Sequence, residues 1–143
     1  MLIRDVLGSK SSLVVTVGPD ATVLEAARML VHHSFGSLVV VKGGEILGII
    51  TERDVLRLAA RDPGGLGSTP VSSVMTADLV VGLADDEIAY GMAVMTNNRV
   101  RHLPVVEGKR LVGIVSIGDL VNASLADLQA ENRWLKDYVQ GGG

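Results

Sequence analysis

Cysteine is absent from the 143 residues, which removes disulfide cross-links, thiol chemistry and thiolate metal sites together. Aromatic residues are scarce. One Phe, two Tyr and one Trp do not make the platform on which unpaired bases stack. Positive charge is not in excess either: 13 Lys and Arg stand against 16 Asp and Glu, a formal net charge of −3. Nothing therefore draws the chain as a whole to phosphate backbones, and nucleic acid is not an expected partner. No apolar run reaches the ~18 residues of a membrane span, because Lys, Arg, Glu or Gly interrupts each one. Asp5 lies close to the start and no continuous apolar segment follows it, so the N-terminus does not read as a signal peptide. The expected location is the cytosol, away from membranes.

What is present suffices for a core. Hydrophobic residues make up 48% and charged residues 20%, and the mean hydropathy is +0.38. The length suits one compact domain, and the composition excludes disorder for most of it.

The main organising feature is a repeat. Gly48-Ile-Ile-Thr-Glu-Arg-Asp54 aligns with Gly113-Ile-Val-Ser-Ile-Gly-Asp119, 65 positions on. At the same offset Leu38, Val40, Val41 and Gly43 fall on Leu103, Val105, Val106 and Gly108, and Asp20 falls on Asp85. Upstream, Asp5-Val6-Leu7 matches Ser73-Val74-Met75, which implies a three-residue insertion near Ser9 to Leu13 in the first copy. A unit this small is marginally stable alone, so the two copies are expected to pack face to face about a pseudo-twofold axis. Residues 63–70 lie within Arg61 to Pro70, a stretch with two Pro and three Gly, and read as a flexible connection. The expected organisation is repeat one over 1–62, the linker over 63–70, repeat two over 71–128, and a C-terminal helix and tail over 129–143.

Within each copy the element order is legible. A lead-in strand is expected at Leu13 to Val17 and at Leu79 to Val81. Asp20 or Thr22 can cap a helix, Thr22-Val-Leu-Glu25 having capping-box spacing, with Val23, Ala26, Ala27, Leu30 and Val31 on the apolar face. The matching helix carries Ile88, Met92 and Met95 inward. Apolar runs at 38–41 and 46–50, and at 103–106 and 111–115, flank Gly-containing turns and predict two β-hairpins. A second helix follows each hairpin from Thr51 or Ser116, burying Val55, Leu56 and Leu58, or Leu120, Val121 and Leu125. The fold class expected is α/β (α+β), two β-α-β-β-α repeats.

Thr51-x-x-Asp54 and Ser116-x-x-Asp119 carry the chemistry, because each sits where a strand hands over to a helix. A hydroxyl at N-cap and a carboxylate three residues on make a cap that needs no ligand. The same geometry offers an anion the N–H groups and positive end of a helix, and an ionised Asp can accept from both hydroxyls of a ribose. Together these groups describe a nucleotide, and both readings stand.

The whole pattern resembles a tandem pair of CBS domains, the cystathionine β-synthase-type regulatory module. The resemblance rests on Val74-Met-Thr76, the following helix, Arg101-His-Leu-Pro-Val-Val106 and Gly113 to Asp119, and spans residues 3 to about 128. It implies a pseudo-symmetric module, often dimerised, whose clefts between repeats bind AMP, ATP, NAD, S-adenosylmethionine or another adenosine-containing molecule. By that resemblance Asp54 and Asp119 hold ribose hydroxyls, and Thr51 and Ser116 contact phosphate or ribose. The base pocket corresponds to Val15 and Val80 with Gly36, Ser37 and Leu38, and with Arg101, His102, Leu103 and Pro104. Copy one has Gly36-Ser-Leu-Val39 where copy two has Arg101-His-Leu-Pro104, so the two sites need not bind alike. Arg101 and Arg53 can reach phosphate, or can point to solvent as ordinary surface residues.

Other chemistry is weakly supported. Adjacent His32 and His33 project about 100° apart on a helix and do not chelate one metal, so no metal is expected. No serine elbow or paired-carboxylate motif is present, so no catalysis and no catalytic cofactor are expected. Leu125, Leu128, Asn132, Leu135, Tyr138 and Val139 recur at three and four, with Trp134 off the stripe. That amphipathic helix either folds back on its own repeats or packs on a second chain, with Gln140 to Gly143 a disordered tail. The reading is a stand-alone, homodimeric sensor acting on an unidentified protein target. The alternatives are a ligand-free scaffold in which the boxes are only caps, and a nucleotide-processing enzyme.

Overall fold

The computed structural model describes residues 1–8 and 14–141, with side chains as far as Lys136. The predicted insertion at Ser9 to Leu13 lies outside the described residues. Contacts divide the chain into two units, one of residues 14–79 and one of residues 1–13 with 80–143. Each is a three-stranded sheet covered by helices.

The unit over 14–79 runs β1 (Thr16–Val17), α2 (Val23–His33), β2 (Ser37–Lys42), β3 (Glu45–Thr51), α3 (Glu52–Arg61) and a 3-10 turn at Val71–Ser73. β1 pairs parallel with β2, and β2 antiparallel with β3. The hairpin turns through Gly43 and Gly44, with φ of +60° and +80°, a pair of left-handed residues that glycine supplies without a Cβ clash. Thr22 caps α2 with both capping-box bonds present. Val17, Val23, Ala26, Leu30, Leu38, Val40, Ile50, Leu58 and Val71 form the core.

The other unit runs α1 (Ile3–Gly8), β4 (Gly82–Leu83), α4 (Ile88–Asn98), β5 (His102–Glu107), β6 (Arg110–Ser116) and α5 (Ile117–Gly141). Its pairing repeats that of the first, with a bulge at the equivalent place in each hairpin, after Val40 and after Val105. Its core is built on Ile3, Val6, Ile88, Met95, Leu103, Val105, Val115 and Leu120.

Each unit is thus completed by the lead-in of the other sequence copy. In one, the Val71 amide donates to Ala21 and Ile49 exchanges two backbone bonds with Thr76, at 3.0 and 2.9 Å. In the other, the Ile3 amide donates to Asp86 and the Ile88 amide to Met1. Gly48 lets Thr76 approach: a Cβ there would stand 2.7 Å from the Thr76 carbonyl oxygen, and one on Gly113 2.6 Å from Leu7 Cδ2.

Several expectations are corrected. The second lead-in strand is Gly82–Leu83, not Leu79 to Val81, and the first is confined to Thr16–Val17 among the described residues. The segment expected to be flexible is tied down, Val23 and Leu24 donating to the carbonyls of Thr69 and Leu66 at 2.9 Å; amides at a helix start have no intrahelical partner, and this chain supplies one. Val31 (80% exposed), Leu56 (69%), Val121 (37%) and Leu125 (52%) are not core residues. They sit on the flanks of their helices turned from the sheets, a distinction that helical periodicity does not make. The second helix of copy two and the C-terminal helix are one continuous α5, whose backbone includes Gln140 and Gly141, the start of the expected tail; Gly142 and Gly143 lie outside the described residues.

Candidate functional site

Both hydroxyl-carboxylate boxes form. In α3 the Asp54 carboxylate accepts through Oδ2 from the Thr51 amide at 2.8 Å and the Thr51 hydroxyl at 3.1 Å. The Asp54 amide donates back to Thr51 Oγ1 at 3.3 Å. At the start of α5 the Ser116 amide donates to Asp119 Oδ2 at 2.8 Å, and the Asp119 amide to Ser116 Oγ at 3.0 Å. The cap expected from spacing alone is therefore real in both copies, and both carboxylates are half-buried.

The sheet brings further predicted residues to the same end. Ser37 lies opposite Thr51 in the β2–β3 ladder, and His102 opposite Ser116 in the β5–β6 ladder. The first helical amide, that of Glu52, donates to the Gly36 carbonyl at 3.1 Å, and that of Ile117 to the Arg101 carbonyl at 2.9 Å. Val15 precedes β1 and Val80 precedes β4, both half-buried against their cores.

These bonds decide what each group retains for a ligand. At the start of α3 the amides of Thr51, Glu52 and Asp54 are taken. The amide of Arg53 and Oδ1 of Asp54 have no hydrogen-bond partner among the described residues. One helix-terminal donor and one oriented carboxylate oxygen in the same helix turn suit a phosphate or hydroxyl oxygen and a sugar hydroxyl. The cap and a ligand contact do not compete, because the cap uses one carboxylate oxygen and holds the other in place.

The remaining candidates divide by burial. Leu38 (1% exposed) and Leu103 (0%) direct their side chains into the cores, so they present only backbone; Pro104 is buried too but alternates with the core residues Leu103 and Val105, and it has no N–H to present. Ser37 is buried (4%). Arg53 and Arg101 are exposed and take part in no ion pair among the described residues. His32 is exposed and His33 stacks on Phe35 at 5.2 Å; no group of three or more metal-ligating side chains occurs among the described residues. No helix is long and apolar enough to cross a membrane, among the described residues. The paired amide bonds to Gly36 and Arg101 were not anticipated, and no side-chain pattern signals them.

Comparison with known proteins matches the CBS domain family model to residues 3–61 and 71–126. A mitochondrial CBS domain-containing protein of Arabidopsis thaliana is 41% identical over 128 residues, which are 86% of this chain and 62% of that protein. The crystal structure of a CBS-domain protein from Agrobacterium tumefaciens superposes with a TM-score of 0.81 at 41% identity, covering 87% of this chain and 99% of that one. The CBS domain pair of protein MJ0100, solved in complex with 5′-methylthioadenosine and S-adenosyl-L-methionine, gives a TM-score of 0.76 at 25% identity over 86% of this chain and 98% of that one.

Proposed function

Because the chain belongs to the CBS-domain family, we propose that it is a regulatory module that binds an adenosine-containing ligand: AMP, ATP, NAD, S-adenosylmethionine or a near relative. Asp54 and Asp119 take the ribose hydroxyls, Thr51 and Ser116 the phosphate or ribose, with Arg53 and Arg101 as phosphate-binding cations. The backbone of Gly36 to Leu38 and of Arg101 to Leu103, beside Val15 and Val80, reads the base. The module acts as a cytoplasmic homodimer, passes the bound state to a protein target by a conformational change, and turns nothing over.

The observation that carries this reading is the Asp54 carboxylate, held by its cap through Oδ2 while Oδ1 has no partner among the described residues. The relative solved with two adenosine derivatives supports the ligand class. Arg101 and His102 in one site, against Gly36 and Ser37 in the other, support unequal ligands in the two.

A second reading is favoured by the completed caps themselves: the boxes serve only folding, and the surface recruits a protein. A thermal-shift panel of the four ligands separates the two. A ligand that binds only the folded state, at about 100 times its Kd, adds roughly 2.7 kcal/mol and raises the melting temperature by on the order of 5–10 °C. Asp54→Asn keeps an oxygen for the Thr51 amide but loses the charge. It is expected to weaken binding at the first site about tenfold or more, with the ligand-free melting temperature nearly unchanged. Asp119→Asn does the same at the second. No shift with any ligand, together with destabilisation of about 0.5–2 kcal/mol in Asp54→Ala, leaves the scaffold reading standing.

A further inference from the structure

After Ala123 and Ser124, which are half-buried in their unit, every residue of α5 from Leu125 to Lys136 is exposed. The helix does not fold back on the residues that anchor it; it leaves them and runs on for about 18 Å. An uncovered helical segment of this length is marginal in water. This one is nonetheless apolar along a single line: Val121 (37% exposed), Leu125 (52%), Leu128 (53%) and Leu135 (47%), with Asn132 between the last two.

Their spacing alternates four, three, four and three, the a/d seam of a coiled coil, with Leu128 and Leu135 at d, Leu125 at a, and the polar Asn132 at the remaining a. Asparagine there is poor in a seam against leucine and satisfied against itself, so it selects a partner that brings an asparagine to the same level. The flanking charges select the same partner. Glu131 is at g and Lys136 at e. In a parallel pair of identical helices the g residue meets the partner's e residue five positions on, so Glu131 faces Lys136 twice by symmetry. In an antiparallel pair Glu131 would face g and Asn132 would face a d leucine, which is repulsive and unsatisfied.

We propose that residues 121–136 form a parallel, in-register, two-stranded coiled coil with a second copy of this chain. So short a coil does not assemble as a free peptide. Here the start of α5 is nucleated by its own fold, with Leu120 fully buried, so association has only to zip a helix already begun. This goes further than the homodimer of the proposed function, since it assigns the segment and its orientation, and it does not depend on the ligand.

The chain has no cysteine, so a single introduced thiol reports orientation in the full-length protein. Asn132→Cys brings two thiols together only in the parallel, in-register pair, within the about 4.4–6.8 Å Cα separation a disulfide spans. Ala130→Cys, at the f position away from the seam, is the control. The expected result on mild oxidation is near-complete cross-linking of the first and little of the second. In sedimentation equilibrium Leu128→Lys is expected to raise the dimer dissociation constant by about tenfold or more, with the module still cooperatively folded by circular dichroism. Glu131→Lys is expected to raise it about twofold to tenfold, and Glu131→Lys with Lys136→Glu to restore it. A dimer by mass in which Asn132→Cys fails to cross-link, or cross-links no better than the control, overturns the coiled coil while leaving a homodimer through another face. A monomer overturns both, and neither result touches ligand binding.

Discussion

Gly48 and Gly113 hold the same place in the two copies, but a methyl group is not equally costly at both. At Gly48 the obstacle is the Thr76 carbonyl oxygen, fixed in its bond to the Ile49 amide. At Gly113 it is the far end of the Leu7 side chain, which can turn aside. Gly48→Ala is expected to destabilise by about 1–3 kcal/mol and Gly113→Ala by less, read from the urea midpoint at constant slope. Equal losses would mean that the Leu7 contact is as rigid as backbone. The carboxylates at Asp54 and Asp119 were legible from spacing because a cap joins residues three apart, and three-residue spacing is visible in a string of letters. That Oδ1 and the Arg53 amide are left without partners among the described residues was not legible, since it depends on the Gly36 carbonyl taking the amide before it.

At the level of elements, the two parallel ladders are equally long, two pairs each, but the second is displaced by one place, and a proline accounts for where it begins. Ile49 turns both backbone groups toward Thr76, so Val39 opposite it directs its N–H the other way, toward β1. Pro104 holds that place in β5 and has no N–H. β1 accordingly pairs from Thr16, opposite Val39, whereas β4 begins one place later, at Gly82 opposite Val105. Pro104→Val supplies the missing donor and is expected to extend the ladder back to Val81. Hydrogen exchange would show the new amide protected to about the degree of Val39, and exchange at the rate of an open amide would refute the explanation. The hairpins were legible because alternating apolar runs and left-handed turn residues are local signals. The lead-in strands were misplaced because two-residue strands carry no pattern of their own.

For the whole molecule, the unit of folding is not the unit of repetition. Ile3, at 0% exposure, lies within reach of Gly91 and Leu120, and Val71, also at 0%, belongs to the core around Val23 and Leu58. A fragment of residues 1–62, one repeat by sequence, therefore keeps a lead-in it does not use and lacks the one it needs. A fragment of residues 14–79 has a complete set of core residues. Circular dichroism and amide dispersion are expected to find the second fragment substantially folded and the first largely unfolded. The reverse would place the repeat boundary and the folding boundary together.

The sequence by itself determined the duplicated order of strand, helix, hairpin and helix, the caps, and the family, because each rests on residues a few positions apart or on a repeat that can be counted. Only the tertiary structure decided which flank of each helix is buried, which copy each lead-in completes, how α5 leaves its unit, and which groups at the helix starts are taken by the backbone that leads into each hairpin. Those outcomes turn on pairs such as Ile3 with Leu120 and Gly48 with Thr76, and no local pattern encodes a contact between residues so far apart along the chain.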